Sequence, residues 1–204
     1  MQRAEVVAAV VAERDDGVIV VSPGASSGLI FAADKHPATI HNMELGYATA
    51  VAYGIALGRP ERRVIALEGD GSMFAGIQVL GTLARFPVPN LVVVVVANGI
   101  WGTGAGNVTT TPGSGEQLAD IARACGLAAG RVLVTGDAGA LRKALARTNG
   151  EPGPWFLSAL TERSTTDRSG ARPRVQFDTV EAVDLTRRYL RSGTPPGPLT
   201  APNA

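Results

Sequence analysis

The amino-acid sequence predicts an α/β fold in three layers, α/β/α, built around a mostly parallel sheet of about six strands. Three observations carry that expectation. Short apolar, β-branched runs alternate with longer stretches of helical periodicity, the pattern of right-handed crossovers between parallel strands. The most apolar run, "LVVVVVA" at Leu91–Ala97, shows no polar alternation, as a strand covered on both faces should. With 204 residues, 45% hydrophobic and 18% charged, the chain is long and apolar enough for one full core and is most simply one domain.

The elements follow in order. "MQRAEVVAAVVAERDD" carries acids inside and just after its apolar stretch and has no convincing cleavage site, so Gln2–Glu13 reads as a helix rather than a signal peptide. A strand at Val18–Val21 leads through a turn into a helix at Ser26–Ala33, and a strand at Ala38–His41 precedes a helix at Glu44–Leu57. The next units pair a strand at Val64–Leu67 with a helix at Ser72–Arg85, and the strand Leu91–Ala97 with a helix at Glu116–Cys125. A strand at Val132–Val134, a helix at Ala138–Arg147 and a strand at Phe156–Leu160 complete the sheet. Thr161–Phe177 is polar and aperiodic, hence a long surface excursion before the last helix, Thr179–Arg191. Residues 1–192 thus form the domain, and "GTPPGPLTAPNA", residues 193–204, is expected to be a disordered tail.

Composition excludes several classes. A net charge of +1 gives no electrostatic reason to expect nucleic acid or an anionic membrane surface. Leu91–Ala97 is far shorter than the roughly 20 residues of a spanning helix. The single cysteine, Cys125, forms no internal disulfide or multi-cysteine metal site, which is compatible with a reducing cytoplasm; it is expected to be a small buried hydrophobe on its helix. His36 and His41 are given no catalytic role.

The informative stretch is "LEGDGSMF", where Asp70 stands between Gly69 and Gly71 at the end of one strand while Asn98 ends the next. Ligands of open parallel sheets sit outside the carboxyl ends of the strands. A carboxylate, a carboxamide and a loop carbonyl converging there supply half of an octahedral site for a hard divalent cation. Gly69 and Gly71 let backbone approach a ligand, and Ser72 opens a helix whose N–H groups favour phosphate. Asp-Gly after a strand is also ordinary turn chemistry, and aspartate before a helix is also an N-cap. The pairing with Asn98 is what points to a metal that holds phosphate.

"GDGSMFAGIQVLGTLARFPVPNLVVVVVANG" resembles the thiamine diphosphate signature, a GDG followed one strand later by asparagine. "SPGASSGLIF", "MELGYATAVAYGIAL", "ANGIWGTGAGN" and "ARPRVQF" extend the likeness over nearly the whole chain. They are similar to the diphosphate-binding domain of sulfopyruvate and phosphonopyruvate decarboxylases, within the thiamine diphosphate-dependent 2-oxo acid decarboxylases. The resemblance implies Mg²⁺ bound by Asp70, the Asn98 side-chain oxygen and the Ile100 carbonyl. It implies a diphosphate cradled by Gly69, Gly71, Ser72 and the backbone near Met73, helped by Gly24 and Ser26. Leu45 would be the apolar wedge that holds the cofactor bent, the Met43 carbonyl would accept from its amino group, and Trp101 would wall its thiazolium. On residue chemistry alone, Leu45 reads equally as core, Trp101 as a loop anchor and Ser26 as a local cap.

Three positions depart from the family pattern. Ala97 replaces a polar residue beside the metal loop, Tyr47 stands where similar phosphonopyruvate decarboxylases often carry histidine, and Gly104 stands where pyruvate decarboxylases carry glutamate. No activating glutamate for the cofactor's pyrimidine is recognisable, so no catalytic side chain is assigned to this chain. A separate pyrimidine-binding α-type subunit is expected to supply it, in a hetero-oligomer of α2β2 type or larger. The implied reaction is decarboxylation of a small 2-oxo acid to an aldehyde, with an anionic distal group met by Tyr47, Thr103 or Asn107; the loop carrying the last two reads equally as a plain cover. The alternatives are an acetolactate synthase-like carboligase subunit and a non-catalytic cofactor-binding or regulatory subunit. A ferredoxin-coupled oxidoreductase is disfavoured by the lack of cluster-binding cysteines. A nucleotide-binding module is disfavoured because no GxGxxG follows the first strand.

Overall fold

The β-branched runs form one sheet of six strands in a computed structural model that describes residues 1–101, 107–109, 113–163, 175 and 178–192. The principal strands are β1 (Val18–Val21), β2 (Thr39–Ile40), β3 (Val64–Gly69) and β4 (Leu91–Ala97). A small antiparallel pair, β5 (Ile100–Trp101) and β6 (Asn107–Val108), follows, then β7 (Val132–Thr135) and β8 (Trp155–Leu160). The sheet order is β2-β1-β3-β4-β8-β7, and each neighbouring pair is parallel.

Side-chain alternation along the strands divides the core in two. Val18, Val20, Val64, Ala66, Val93 and Val95 point into one layer, formed by α3 (Ala48–Gly58), α4 (Asp70–Ala75), α5 (Val79–Arg85), α6 (Ser114–Ala124) and α8 (Thr179–Ser192). Ile19, Val21, Ile65, Leu67, Val92, Val94 and Val96 point into the other, formed by α1 (Arg3–Ala12), α2 (Ala25–Ala33) and α7 (Ala138–Arg147). Every residue of β4 is buried, so both faces of "LVVVVVA" are used. Each such side chain contributes about 1.5–3 kcal/mol when removed from water, which makes this strand the thermodynamic centre of the fold. Among the described residues no helix is long and apolar enough to cross a membrane.

Several boundaries differ from the expected ones for local reasons. The helix expected from Glu44 begins at Ala48, because Asn42 (φ 52°) and Gly46 (φ 83°) hold the preceding residues in a loop. The helix expected over Ser72–Arg85 is two helices, interrupted at Gly76. There the Gly46 carbonyl lies so close that a Cβ on Gly76 would stand 2.0 Å from its oxygen. Cys125, expected to be buried, is exposed. The helix ends at Ala124 and Gly126 (φ 107°) turns the chain inward, so Leu127 rather than Cys125 enters the core. Thr103, Gly104, most of the expected excursion after Thr161 and the tail 193–204 lie outside the described residues.

Candidate cofactor site

From β1 the chain runs outward to β2 and then returns to β3 on the other side, so the strand order reverses between β1 and β3. A crevice outside the carboxyl ends of the strands is expected at such a reversal. A small cavity of about 40 Å³ lies there, lined by Gly24, Leu45, Gly69, Asp70, Gly71, Ser72, Asn98, Ile100 and Trp101 among the sequence-identified residues. Asp70 and Asn98 meet because β3 and β4 are hydrogen-bonded neighbours with Gly69 opposite Val96.

Asp70 is 1% exposed and its carboxylate is firmly held. Oδ1 accepts from the Gly71 N–H at 3.0 Å; Oδ2 accepts from the Gly99 N–H at 2.7 Å and the Ser114 hydroxyl at 2.6 Å. Asn98 is 6% exposed, and its Oδ1 accepts from the Ile100 N–H at 3.1 Å. The donor set is therefore one carboxylate, one carboxamide and nearby backbone, all oxygen, which suits Mg²⁺ with phosphate oxygens completing the shell. Among the described residues no group of three or more His, Cys, Asp or Glu forms a metal cluster of another kind.

The wall of the cavity is close-packed. Trp101 lies on Gly71, with ring atoms 3.1 Å from where a Cβ would stand, so any larger residue at 71 would displace the ring. Ala97 is explained by packing: α6 begins on it, and a Cβ on Gly115 would stand 2.8 Å from the Ala97 Cβ. That close approach is what brings Ser114 to Asp70.

Other sequence-identified residues lie outside the cavity wall. Ser26 is buried and its hydroxyl accepts from Arg3 at 3.3 Å. Met73 is 1% exposed, in the core. Met43 is held beside β1 by its N–H, which donates to the Val21 carbonyl at 2.9 Å. Tyr47, 58% exposed, projects from the start of α3, and Asn107 is exposed in β6 opposite Trp101.

Four residues escape the sequence reading. Arg3 and Ser22 line the cavity, and Ser114 reaches Asp70 from α6. Glu68, next to the GDG turn, is 1% exposed. Burial pushes its carboxyl pKa up, opposed by the nearby hydroxyls of Ser72 and Ser22 and by the hydrogen bonds from Thr49. The signal for Glu68 is in the sequence: an acid closing the apolar strand "VIALEG" has no reason to be there on burial grounds.

The model of the C-terminal TPP binding domain of thiamine pyrophosphate enzymes matches residues 30–159. The chain belongs to this family. A phosphonopyruvate decarboxylase of Streptomyces hygroscopicus is 29% identical over 184 residues, covering 90% of this chain and 43% of the relative. A sulfopyruvate decarboxylase subunit beta of Methanocaldococcus jannaschii is 34% identical over 83 residues, 41% of this chain and 43% of the relative. The chain thus spans less than half the length of either of these two relatives. Among solved structures, the thiamine diphosphate-dependent 4-hydroxybenzoylformate decarboxylase of Rhodococcus jostii RHA1 superposes with a TM-score of 0.66. That match, at 21% identity, covers 83% of this chain and 33% of the other, and speaks for the three-layer fold.

Proposed function

We propose that this chain is the diphosphate-binding subunit of a two-component, thiamine diphosphate- and Mg²⁺-dependent 2-oxo acid decarboxylase. The observation that carries the reading is the convergence of Asp70 and Asn98, from neighbouring strand ends, on one cavity in a member of this family. Asp70, the Asn98 carboxamide oxygen and the Ile100 carbonyl hold Mg²⁺. Gly69, Gly71, Ser72 and the Met73 backbone receive the diphosphate from one side, Gly24 and Ser26 from the other. Arg3, from α1, adds a positive charge that offsets the charge of diphosphate and Asp70 in a poorly solvated place. Leu45 would pack against the cofactor, the Met43 carbonyl would accept from its amino group, and Trp101 would exclude water from its thiazolium.

The bound cofactor serves as the electron sink for the carbon–carbon bond broken as CO₂ leaves. This chain places it and keeps the site dry; the acid that activates the pyrimidine comes from a separate α-type chain. The name of the M. jannaschii relative, a subunit beta, supports a second component. The substrate class is a 2-oxo acid with an anionic distal group, as the names of the relatives suggest. Tyr47, Asn107 and Thr103 are its proposed contacts, the last outside the described residues.

The test is co-purification with the partner, followed by assay of CO₂ and product from sulfopyruvate, phosphonopyruvate and pyruvate, with and without thiamine diphosphate and Mg²⁺. Aldehyde and CO₂ that need both cofactors and both chains are expected. Full turnover by this chain alone overturns the two-component arrangement, and a product with a new carbon–carbon bond replaces decarboxylase by carboligase.

A further inference from the structure

The turn that carries Asp70 and the loop that carries Leu45 are separate segments, and they touch at three places, one of them Glu68. Its Oε1 accepts from both the N–H and the hydroxyl of Thr49, at 2.9 and 3.1 Å, so it receives the first turn of α3. Its Oε2 is buried and makes no hydrogen bond. Three residues before Thr49, the Gly46 N–H donates to the Ser72 hydroxyl at 3.0 Å, and Gly46 itself packs against Gly76 with no room for a side chain between them. Residues 45–49 are therefore held at three points, by β3, by α4 and by the junction of α4 and α5. Only the first of these uses a buried acid.

Keeping a carboxyl in that place is costly, since one of its oxygens gains no partner in exchange for lost water. A leucine of similar size would fill the same space without that cost. What leucine lacks is the acceptor that fixes Thr49.

We infer that Glu68 is a positioning residue: it ties the first turn of α3 to the strand that ends in Asp70, and so sets the height of Leu45 above the metal-binding turn. The inference rests on the proposed cofactor site. In the proposed site Asp70 and the GDG backbone would serve the diphosphate, whereas Leu45 would meet the thiamine portion. Loss of the Glu68 tie should therefore weaken thiamine diphosphate while leaving inorganic diphosphate almost unaffected, a split that general loosening of the fold does not produce.

The experiment is isothermal titration calorimetry of the full chain in Mg²⁺, with inorganic diphosphate and thiamine diphosphate as parallel ligands. Glu68→Gln retains an acceptor for Thr49 and should keep the ratio of the two Kd values within about twofold of wild type. Glu68→Leu should raise the thiamine diphosphate Kd about tenfold and the inorganic diphosphate Kd less than about twofold. Equal weakening of both ligands, or none of either, overturns the inference. Should Glu68→Leu fail to fold, Thr49→Val decides: it removes one of the two donors, so a shift of about threefold in the ratio is expected, and an unchanged ratio overturns the inference. A wild-type chain that binds neither ligand defeats the proposed site itself, an outcome distinct from wild-type binding with an unaltered ratio in the variants.

Discussion

Arg14 and Glu68 are both ionisable residues sunk in the molecule, at opposite ends of the sheet, and they are accommodated in opposite ways. Arg14, 4% exposed below the amino ends of the strands, donates to the Asp34 carboxylate at 2.6 Å, the Thr39 hydroxyl at 2.8 Å and the carbonyls of Gly17 and Ala38. Burial pulls its pKa down, and the bond and charge of Asp34 push it back. Glu68 keeps an oxygen without a bond beside a cavity. The first arrangement closes a structure; the second leaves polar groups converging on space. Cavity size alone would mislead here, because a far larger cavity, about 680 Å³, lies at the Arg14 end, lined by Glu13, Asp16, Arg62, Arg63 and Asn90. Its polar groups are engaged mainly with one another and with backbone: Arg62 pairs with Asp16, Arg63 donates to Thr148 and the Leu145 carbonyl, and the Asn90 amide donates to three backbone carbonyls, while Arg63 Nε and Nη1 and Asn90 Oδ1 make no hydrogen bond.

The largest expected effect breaks the closed end. Arg14→Met leaves Asp34 without its cation and should cost about 3 kcal/mol, lowering Tm by roughly 10 °C in thermal unfolding followed by circular dichroism. Cofactor binding by the folded fraction should be unchanged; a loss of binding at normal Tm would erase the distinction between the two ends.

Asp70→Ala acts on binding. Calorimetry should show Mg²⁺-dependent thiamine diphosphate affinity reduced by about a hundredfold, equivalent to about 2.8 kcal/mol. Tm should fall as well, because the Gly99 N–H and the Ser114 hydroxyl lose their acceptor, so affinity is compared below the transition on folded protein. Unimpaired binding would remove Asp70 from the metal site.

His41 sharpens the comparison by pH. It is 1% exposed at the end of β2, and burial lowers its pKa from 6.5 to about 4, so the fold prefers the neutral ring. Its contribution is complete above pH 6.5 and is lost as pH falls from there towards the folded value of about 4, by about 2 kcal/mol at pH 5. Chemical denaturation between pH 7 and 5 should therefore show a shallower loss in His41→Gln than in wild type; parallel curves would contradict the burial of a neutral ring.

The smallest effect tests the added charge. Arg3→Gln should weaken thiamine diphosphate about fivefold at low salt, with the difference shrinking as salt rises. A deficit that is constant from low to high ionic strength would point to a packing role instead.

Much of this architecture was legible in the sequence because it is written in local pattern. The unbroken apolarity of Leu91–Ala97 announces a strand covered twice, and the core clusters show both coverings. The cavity wall is likewise legible where motif and strand end coincide, as at Gly69–Ser72 and Asn98. What local pattern does not encode is contact between distant segments. The break of the expected Ser72–Arg85 helix arises from Gly46 pressing on Gly76, and the late start of α3 from the same loop. Ser114 reaches Asp70 across 44 positions, and Arg3 enters the cavity from a helix whose sequence shows only an apolar stretch flanked by acids. The β5–β6 pair leaves no mark in the sequence because two-residue strands carry no periodicity.

The placement of Trp101 against Gly71 has a practical corollary. The chain contains two tryptophans, and the other, Trp155, opens β8 near the amino ends of the strands, 2% exposed, its indole N–H bonded to the Glu151 carbonyl. One fluorophore thus stands at the mouth of the GDG turn and the other is shielded at the far pole. A change in emission on adding thiamine diphosphate with Mg²⁺ is attributable to Trp101, so the native polypeptide comes with an optical readout of ligand entry and needs no label.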